Sequence, residues 1–205
     1  MEQTFAEKRG VRGGSGRSWM CAILLAIGCL ASTAAAEDGP GREIEKALRL
    51  GVSILGDSKL REDAKLERLR AAVLPLFDFS EMARRSLGAH WRRRTPEQRK
   101  EFTQLFTRLL ERTYASRISA YNGQRMHFLG EEIDGRYARV NTRIVDRDGR
   151  RFDVNYRLHR VSDPDGWRIY DIVIENISLV NNYRAQFNRV INRTSYESLV
   201  AKLRG

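Results

Sequence analysis

Cysteine is scarce in this chain of 205 residues: Cys21 and Cys29 are the two it has, both close to the amino terminus. If the segment that carries them is removed, disulfides, thiolate-bound zinc and thiol catalysis leave with it. Histidine is hardly commoner, at His90, His127 and His159, and no two of these stand at ligand spacing on one helix. No pair of carboxylates at a loop tip suggests acid/base work, so the sequence names no catalytic residue and no metal site. Long apolar runs are missing too. Residues 19–30 form a run of roughly a dozen, short of the ~20 that cross a bilayer.

That short run has the layout of an export signal. Arg9, Arg12 and Arg17 precede it, and Ala34-Ala35-Ala36 and then Glu37-Asp38 follow. We therefore expect residues 1–36 to be a cleaved secretory signal and residues 37–205 to be one exported domain. Attachment of a lipid at Cys29 is the lesser alternative. Gly13-Gly14-Ser15-Gly16 falls inside the signal and carries no phosphate-loop meaning. Removing the signal takes +2 from the net charge of +11, and the remaining domain is still basic at +9. Acidic residues are interspersed throughout, and Arg92-Arg93-Arg94 is the one tight basic cluster. Nucleic acid is thus not the expected partner, and an anionic lipid surface fits an exported basic protein better.

The first half of the domain has helical periodicity. Ile44, Ala47, Leu48, Gly51, Ile54 and Leu55 share one face, and Leu66, Leu69 and Val73 another, with Gly56-Asp57-Ser58 between and Pro75 as a stop. Asp78 and Glu81 open a short helix that Gly88 ends. Thr95-Pro96-Glu97-Gln98 opens a long one, to about residue 120, with Phe102, Leu105, Phe106, Leu109, Leu110 and Thr113 as its stripe. The period then changes to two over residues 126–133, 135–145, 150–159 and 167–175, with turn residues at 146–149 and 163–166. Two helices follow, one from about Ser178 and one from Thr194 or Ser195, where Thr194 and Glu197 have capping-box spacing. The pattern describes an α+β domain with helices packed on one face of a four-stranded antiparallel meander.

Val140, Thr142, Ile144, Val154, Tyr156, Leu158, Ile172 and Ile174 form a dry sheet face, which we expect to oppose the helix of Phe102, Phe106, Leu109 and Leu110. Such an arrangement is either a packed core or the wall of a cavity, and sequence alone leaves both open. Asp171 and Glu175 alternate with apolar residues on the fourth strand. Acids so placed ordinarily satisfy backbone amides or pair with arginine. A proton-transfer role for Asp171 or Tyr156, in an isomerase- or hydrolase-type enzyme of cone-shaped α+β fold, is the rival reading. A basic structural or adhesion protein of the envelope, with a closed core, is a third.

Several short motifs carry a resemblance. Phe77-Asp78-Phe79, Leu87-Gly88 with Trp91, Thr95-Pro96-Glu97-Gln98-Arg99, Tyr114 with Tyr121, Tyr156-Arg157-Leu158, residues 166–171 and Ile177-Ser178-Leu179-Val180 with Tyr183, Arg184 and Phe187 occur in this order. In that order they resemble the toluene-tolerance family, to which the periplasmic phospholipid-binding protein of the Mla lipid-transport system belongs. The resemblance runs from about Ile44 to Leu203. It implies a fold like nuclear transport factor 2, with an apolar cavity between helices and sheet and phospholipid as cargo, without cofactor or covalent chemistry. For such a carrier we expect lipid contact by Phe106, Leu109, Leu110, Val140, Ile144, Val154, Tyr156, Leu158 and Ile172, and a headgroup mouth at Arg92, Arg93, Tyr114 and Arg117. The partners it implies are an inner-membrane ABC transporter with a substrate-binding subunit of the MCE type and an outer-membrane lipoprotein complex. Glu175-Asn176-Ile177-Ser178 departs from the Glu-Gly more usual in the family. A different apolar lipid, hopanoid-like, is therefore the alternative cargo.

Overall fold

The computed structural model describes residues 39–119, 123–161 and 166–205, with backbone alone for residues 115–119. The expected signal, both cysteines, Tyr121 and the turn residues 163–165 lie outside these. The helices are α1 (Pro40–Gly56), α2 (Glu62–Val73), α3 (Phe79–Leu87), α4 (Pro96–Ser119), α5 (Leu179–Arg193) and α6 (Tyr196–Arg204). Between α4 and α5 run β1 (Arg125–Asp134), β2 (Tyr137–Val145), β3 (Arg151–Arg160), β4 (Trp167–Ile174) and the two-residue β5 (Ile177–Ser178), in one antiparallel sheet ordered β1-β2-β3-β4-β5. The expected four-strand meander is present, lengthened by β5.

Local chemistry sets the helix boundaries. The Thr95 hydroxyl accepts from the Gln98 amide at 3.3 Å, and the Gln98 side chain accepts from the Thr95 amide at 3.1 Å. This reciprocal pair satisfies two of the donors that a helix start leaves open. Asp78 Oδ1 caps α3 by accepting from Glu81 N at 2.8 Å, and Gly88, at φ +58, ends it. Ser195 caps α6 by accepting from Ser198 N at 3.1 Å. The capping box expected from Thr194 to Glu197 does not form, because the Thr194 hydroxyl donates back to the Val190 carbonyl and belongs to α5. Gly39 at the N-cap of α1 has no side chain to offer; Glu131, far away on β1, accepts from Gly41 N at 2.6 Å.

Two β-bulges decide which residues face which way. In β4 the register shifts between Arg157 and Leu158: Leu158 pairs with Ile169 and Tyr156 with Ile172, leaving Tyr170 without an opposite number. An extra residue reverses the alternation beyond it. Trp167 and Ile169 therefore share a face with Ile172 and Ile174, while Asp171 and Val173 turn to the other face, where α5 packs on β4. A second shift in β1, between Phe128 and Gly130, brings Glu131 opposite Val140 on the face that α1 covers.

The buried side chains fall into two clusters. One is made by α3, α4, α5 and α6, with Phe102, Phe106, Leu110, Tyr183, Phe187 and Leu199 among its members. The other joins Ile44 of α1 to Ala138, Val140, Val154, Tyr156, Leu158, Trp167 and Ile169 of the sheet. Phe77 touches both and marks the seam. Around it, Phe77 bridges to Ile169, Asp78 N donates to the Ile169 carbonyl at 2.9 Å, and Asp78 Oδ2 lies 3.0 Å from His159 Nε2.

On α3, Glu81 binds Arg84 Nη2 at 2.5 Å and Arg85 Nε at 2.7 Å. The hydrogen bond from Arg84, opposed by burial and aided by Arg85, lowers the Glu81 pKa from 4.5 to about 2. A carboxylate whose pKa is lower in the folded state contributes stability above its unfolded pKa and loses it as pH falls through the folded value. Stability of the wild type should therefore fall more steeply than that of Glu81→Gln between pH 4.5 and about 2. Urea midpoints measured across that window check this.

Candidate functional site

A cavity of about 570 Å³ opens where α1 crosses the start of the sheet. Helical spacing supplies one wall. Ile44, Leu48 and Val52, four apart, present an apolar stripe, and Glu45, Arg49 and Ser53 form the polar stripe beside it. Met126 and Phe128 of β1 and Thr142 of β2 make the opposite side, and Gly123, Gln124, Arg125 and His127 also line it. The volume lies within the roughly 300–1,000 Å³ of small-molecule sites.

Thr142 is 1 % exposed, and its hydroxyl donates to the Val154 carbonyl at 2.7 Å, so it offers an incoming molecule no unsatisfied polar atom. At its amino-terminal end α1 is pinned to the sheet. A Cβ on Gly41 would lie 2.8 Å from the Glu131 carboxylate and 2.9 Å from the Phe128 ring, so any larger residue would have to displace these two side chains. Phe128 is 46 % and Val52 38 % exposed, which leaves apolar surface at the opening.

The sequence expectation placed α4 opposite the strands, and here the structure corrects it: the helix over β1 and β2 is α1. The stripe of α4 is occupied by rings of α5 and α6. Phe106 meets Tyr183 at 5.2 Å and Phe187 at 5.6 Å, and Phe102 meets Phe187 at 5.6 Å and Tyr196 at 6.4 Å. Phe106 and Leu110 are thus buried in the helical cluster, with Leu109 packed against it. Val140, Val154, Tyr156 and Leu158 are core residues of the sheet, and Ile144 and Ile172 pack beside them. None of these nine borders the cavity, although Ile144 pairs with Met126 and Val154 with Thr142, one residue away from it. Of the expected mouth, Arg92 and Arg93 are exposed on the 3-10 turn after α3, Tyr114 packs on the helical cluster, and the Arg117 side chain is outside the described residues. Met126, Phe128 and Arg125 escaped sequence reasoning. Their signal was the pairing of a strand start rich in large apolar residues with the Ile44-Leu48-Val52 stripe.

A second concavity, of about 430 Å³, lies between the end of α3 and α5. Polar groups in its lining already have partners: His90 Nε2 is 2.9 Å from Asn188 Oδ1, and Arg184 Nε donates to the Arg85 carbonyl at 2.7 Å. It offers no apolar depth comparable to the first.

The residues named for proton transfer are bound into the structure. Asp171 is 2 % exposed; it accepts from the Ser178 hydroxyl at 2.6 Å, the Val180 amide at 3.0 Å and Arg157 Nη1 at 3.2 Å. Burial pushes the Tyr156 phenol up to about 12, against a smaller opposing effect of its hydrogen bond with Thr142. Neither group borders either cavity. Among the described residues there is no cluster of three or more His, Cys, Asp or Glu placed to hold a metal ion. Nor is any described helix long and apolar enough to cross a membrane.

Removing the Asp171 carboxylate leaves a buried amide, a buried hydroxyl and a guanidinium without their acceptor. Asp171→Ala should therefore cost about 3 kcal/mol of unfolding free energy. Asp171→Asn, which keeps one carbonyl acceptor, should cost less, as read from chemical denaturation.

Comparison with known proteins gives consistent results. The sequence pattern of the family described as MlaC protein matches residues 49–205. The chain is 24 % identical over 151 residues to the intermembrane phospholipid transport system binding protein MlaC of Haemophilus influenzae, covering 71 % of each chain. It is also 24 % identical over 149 residues to the toluene tolerance protein ttg2D of Pseudomonas putida, covering 68 % of each. Among solved structures, it is similar to the phospholipid-binding protein of Ralstonia solanacearum, determined in complex with a phospholipid. The TM-score is 0.70 and the identity 27 %, over 80 % of this chain and 93 % of that one.

Proposed function

The chain belongs to the MlaC family, and on that footing we propose that it is a phospholipid carrier that moves lipid between membranes without covalent chemistry. The observation that carries this reading is the cavity between α1 and the sheet, with Ile44, Leu48, Val52, Met126 and Phe128 in its lining. The relatives' described roles support it: one is the binding protein of an intermembrane phospholipid transport system, and another holds a phospholipid in its solved complex.

The physical task is a solvation problem. A diacyl lipid has on the order of 30 chain carbons, and at about 0.8 kcal/mol for each, free passage through water costs roughly 20–25 kcal/mol. An apolar cavity removes most of that barrier. Because cavity and bilayer are similarly apolar, transfer between them is near balance, so one protein both loads and releases. In this reading Ile44, Leu48, Val52, Met126 and Phe128 touch the acyl chain, with Ile144 and Val154 next to them in the sheet.

The rest of the proposal concerns place and partners. Residues 1–36 act as a cleaved export signal and residues 37–205 as the working domain in the periplasm. An inner-membrane ABC transporter complex and an outer-membrane lipoprotein complex exchange cargo with it. The departure at Glu175-Asn176 gives no support to a different cargo. Glu175 at φ +47 and Asn176 at φ +65 form the two-residue turn between β4 and β5, and asparagine is a common stand-in for glycine in such left-handed positions.

Protein purified after export should release phospholipid into organic solvent, detectable by mass spectrometry. Recovery of no lipid would overturn the carrier reading. Met126→Trp, which narrows the cavity, should retain the wild-type circular dichroism and carry clearly less lipid; equal loading would place the cargo elsewhere.

A further inference from the structure

The helix that covers the cavity is sealed loosely by its apolar stripe. Ile44 is buried in the sheet cluster, but Leu48 only packs beside it and Val52 is exposed. Past its midpoint α1 leans on α2, where a Cβ on Gly51 would lie 3.3 Å from Leu69. Its first turn is seated on a single carboxylate of β1. Glu131 Oε2 accepts from Gly41 N at 2.6 Å, and Oε1 lies so close under Gly39 that a Cβ there would sit 3.0 Å away. Both oxygens thus meet the end of the helix where open amides favour an anion. Strict alternation would deny Glu131 this place. Because Met126 and Phe128 point toward α1, alternation would send Gly130 and Glu132 the same way and turn Glu131 to the other face. The extra residue at Leu129 reverses the order and sets Glu131 opposite Val140, with Gly130 at φ +140 allowing the bulge. One bulge and two glycines therefore converge on one contact between strand and cover.

We infer that Glu131 is the latch of the cavity: by holding the first turn of α1 on β1, it sets how fast cargo leaves. The inference rests on the carrier reading above and deepens it. Glu131 does not border the cavity, so it is a positioning residue that acts through α1 and not by touching lipid. A chain lying between Leu48 and Met126 leaves when α1 lifts from β1, and lifting parts Gly41 N from its acceptor. Water then satisfies both groups, so the contact contributes a modest barrier and not a permanent lock. That scale suits a cover that has to open in every cycle of loading and release. Glu132, the next residue, lies on the opposite face beside Arg139 and Asn141, and has no part in the latch.

The test loads delipidated protein with a fluorescent phosphatidylglycerol and follows its release into excess unlabelled phosphatidylcholine vesicles. Amide hydrogen exchange is measured on the same loaded protein. Glu131→Ala should release lipid about tenfold faster than wild type, the scale of one charge-assisted contact at a helix start. Glu131→Gln keeps an acceptor and should fall between the two. Exchange should accelerate in the first turns of α1 and stay at the wild-type level in α4, α5 and α6. Gly41→Ala, whose Cβ pushes the carboxylate away from the helix side, should act in the same direction. Glu132→Ala should match wild type in both measurements. Wild-type release from both Glu131→Ala and Gly41→Ala would overturn the inference while leaving the carrier reading intact. Faster release accompanied by faster exchange throughout α4, α5 and α6 would overturn it too, because it marks a general loss of stability. Faster exchange in α1 with unchanged release would show that lifting α1 is not the exit, and would equally overturn it. Failure of wild type to take up lipid at all would instead defeat the carrier reading, and the latch with it.

Discussion

A buried carboxylate must have every lone pair accounted for, and much of this molecule is arranged around that requirement at Asp171. The side chain meets a hydroxyl from Ser178, an amide from Val180 and a guanidinium from Arg157. Leaving such a charge unpaired in the interior costs several kcal/mol, so these contacts fix the start of α5 against β3 and β4. The Ser178 hydroxyl also accepts from Asn181 N at 3.1 Å, so the same residue caps α5 and anchors it. Asp171 reaches this position only because the bulge at Tyr170 turns it away from the apolar face. One extra residue in a strand thus determines where a helix docks.

The consequence for function lies at the other end of the sheet. With the seam of Phe77, Asp78 and Asp171 holding the helical cluster at β4, the strands β1 and β2 are covered by α1. That helix is held close at its first turn by Glu131 and Gly41, and the cavity follows along its Ile44-Leu48-Val52 stripe. The helical cluster is dense with interlocking aromatic rings, whereas the space under α1 is left open between Ile44, Leu48, Val52, Met126 and Phe128. Packing quality is therefore divided: rigid where the fold must be specified, open where an apolar guest is to be held.

Much of the fold was legible in the sequence because its signals are local. The Thr95–Gln98 box, Gly88 as a stop, the alternation of β2 and β3 and the Ser178 cap all act within four residues. The layer partners were not legible, because Phe106 and Val140 are both apolar on one face and nothing local says that they belong to different clusters. The bulges were hidden for a related reason. Trp167 and Ile169 have odd numbers and Ile172 and Ile174 even ones, so strict alternation assigns them to opposite faces, and only the pairing register reveals the inserted Tyr170. The Glu131 cap on α1 spans 90 residues and has no sequence signature. What the family resemblance added was the idea of a cavity; its place under α1 came from the coordinates.

The central claim is that an acyl chain lies beneath α1, between Leu48 and Met126, and not within the helical cluster. Site-specific photocrosslinking tests this most directly. A photoreactive side chain placed at Leu48 should capture radiolabelled phospholipid in the exported protein, and one placed at Phe106 should not. Capture at Phe106 with none at Leu48 would contradict the account.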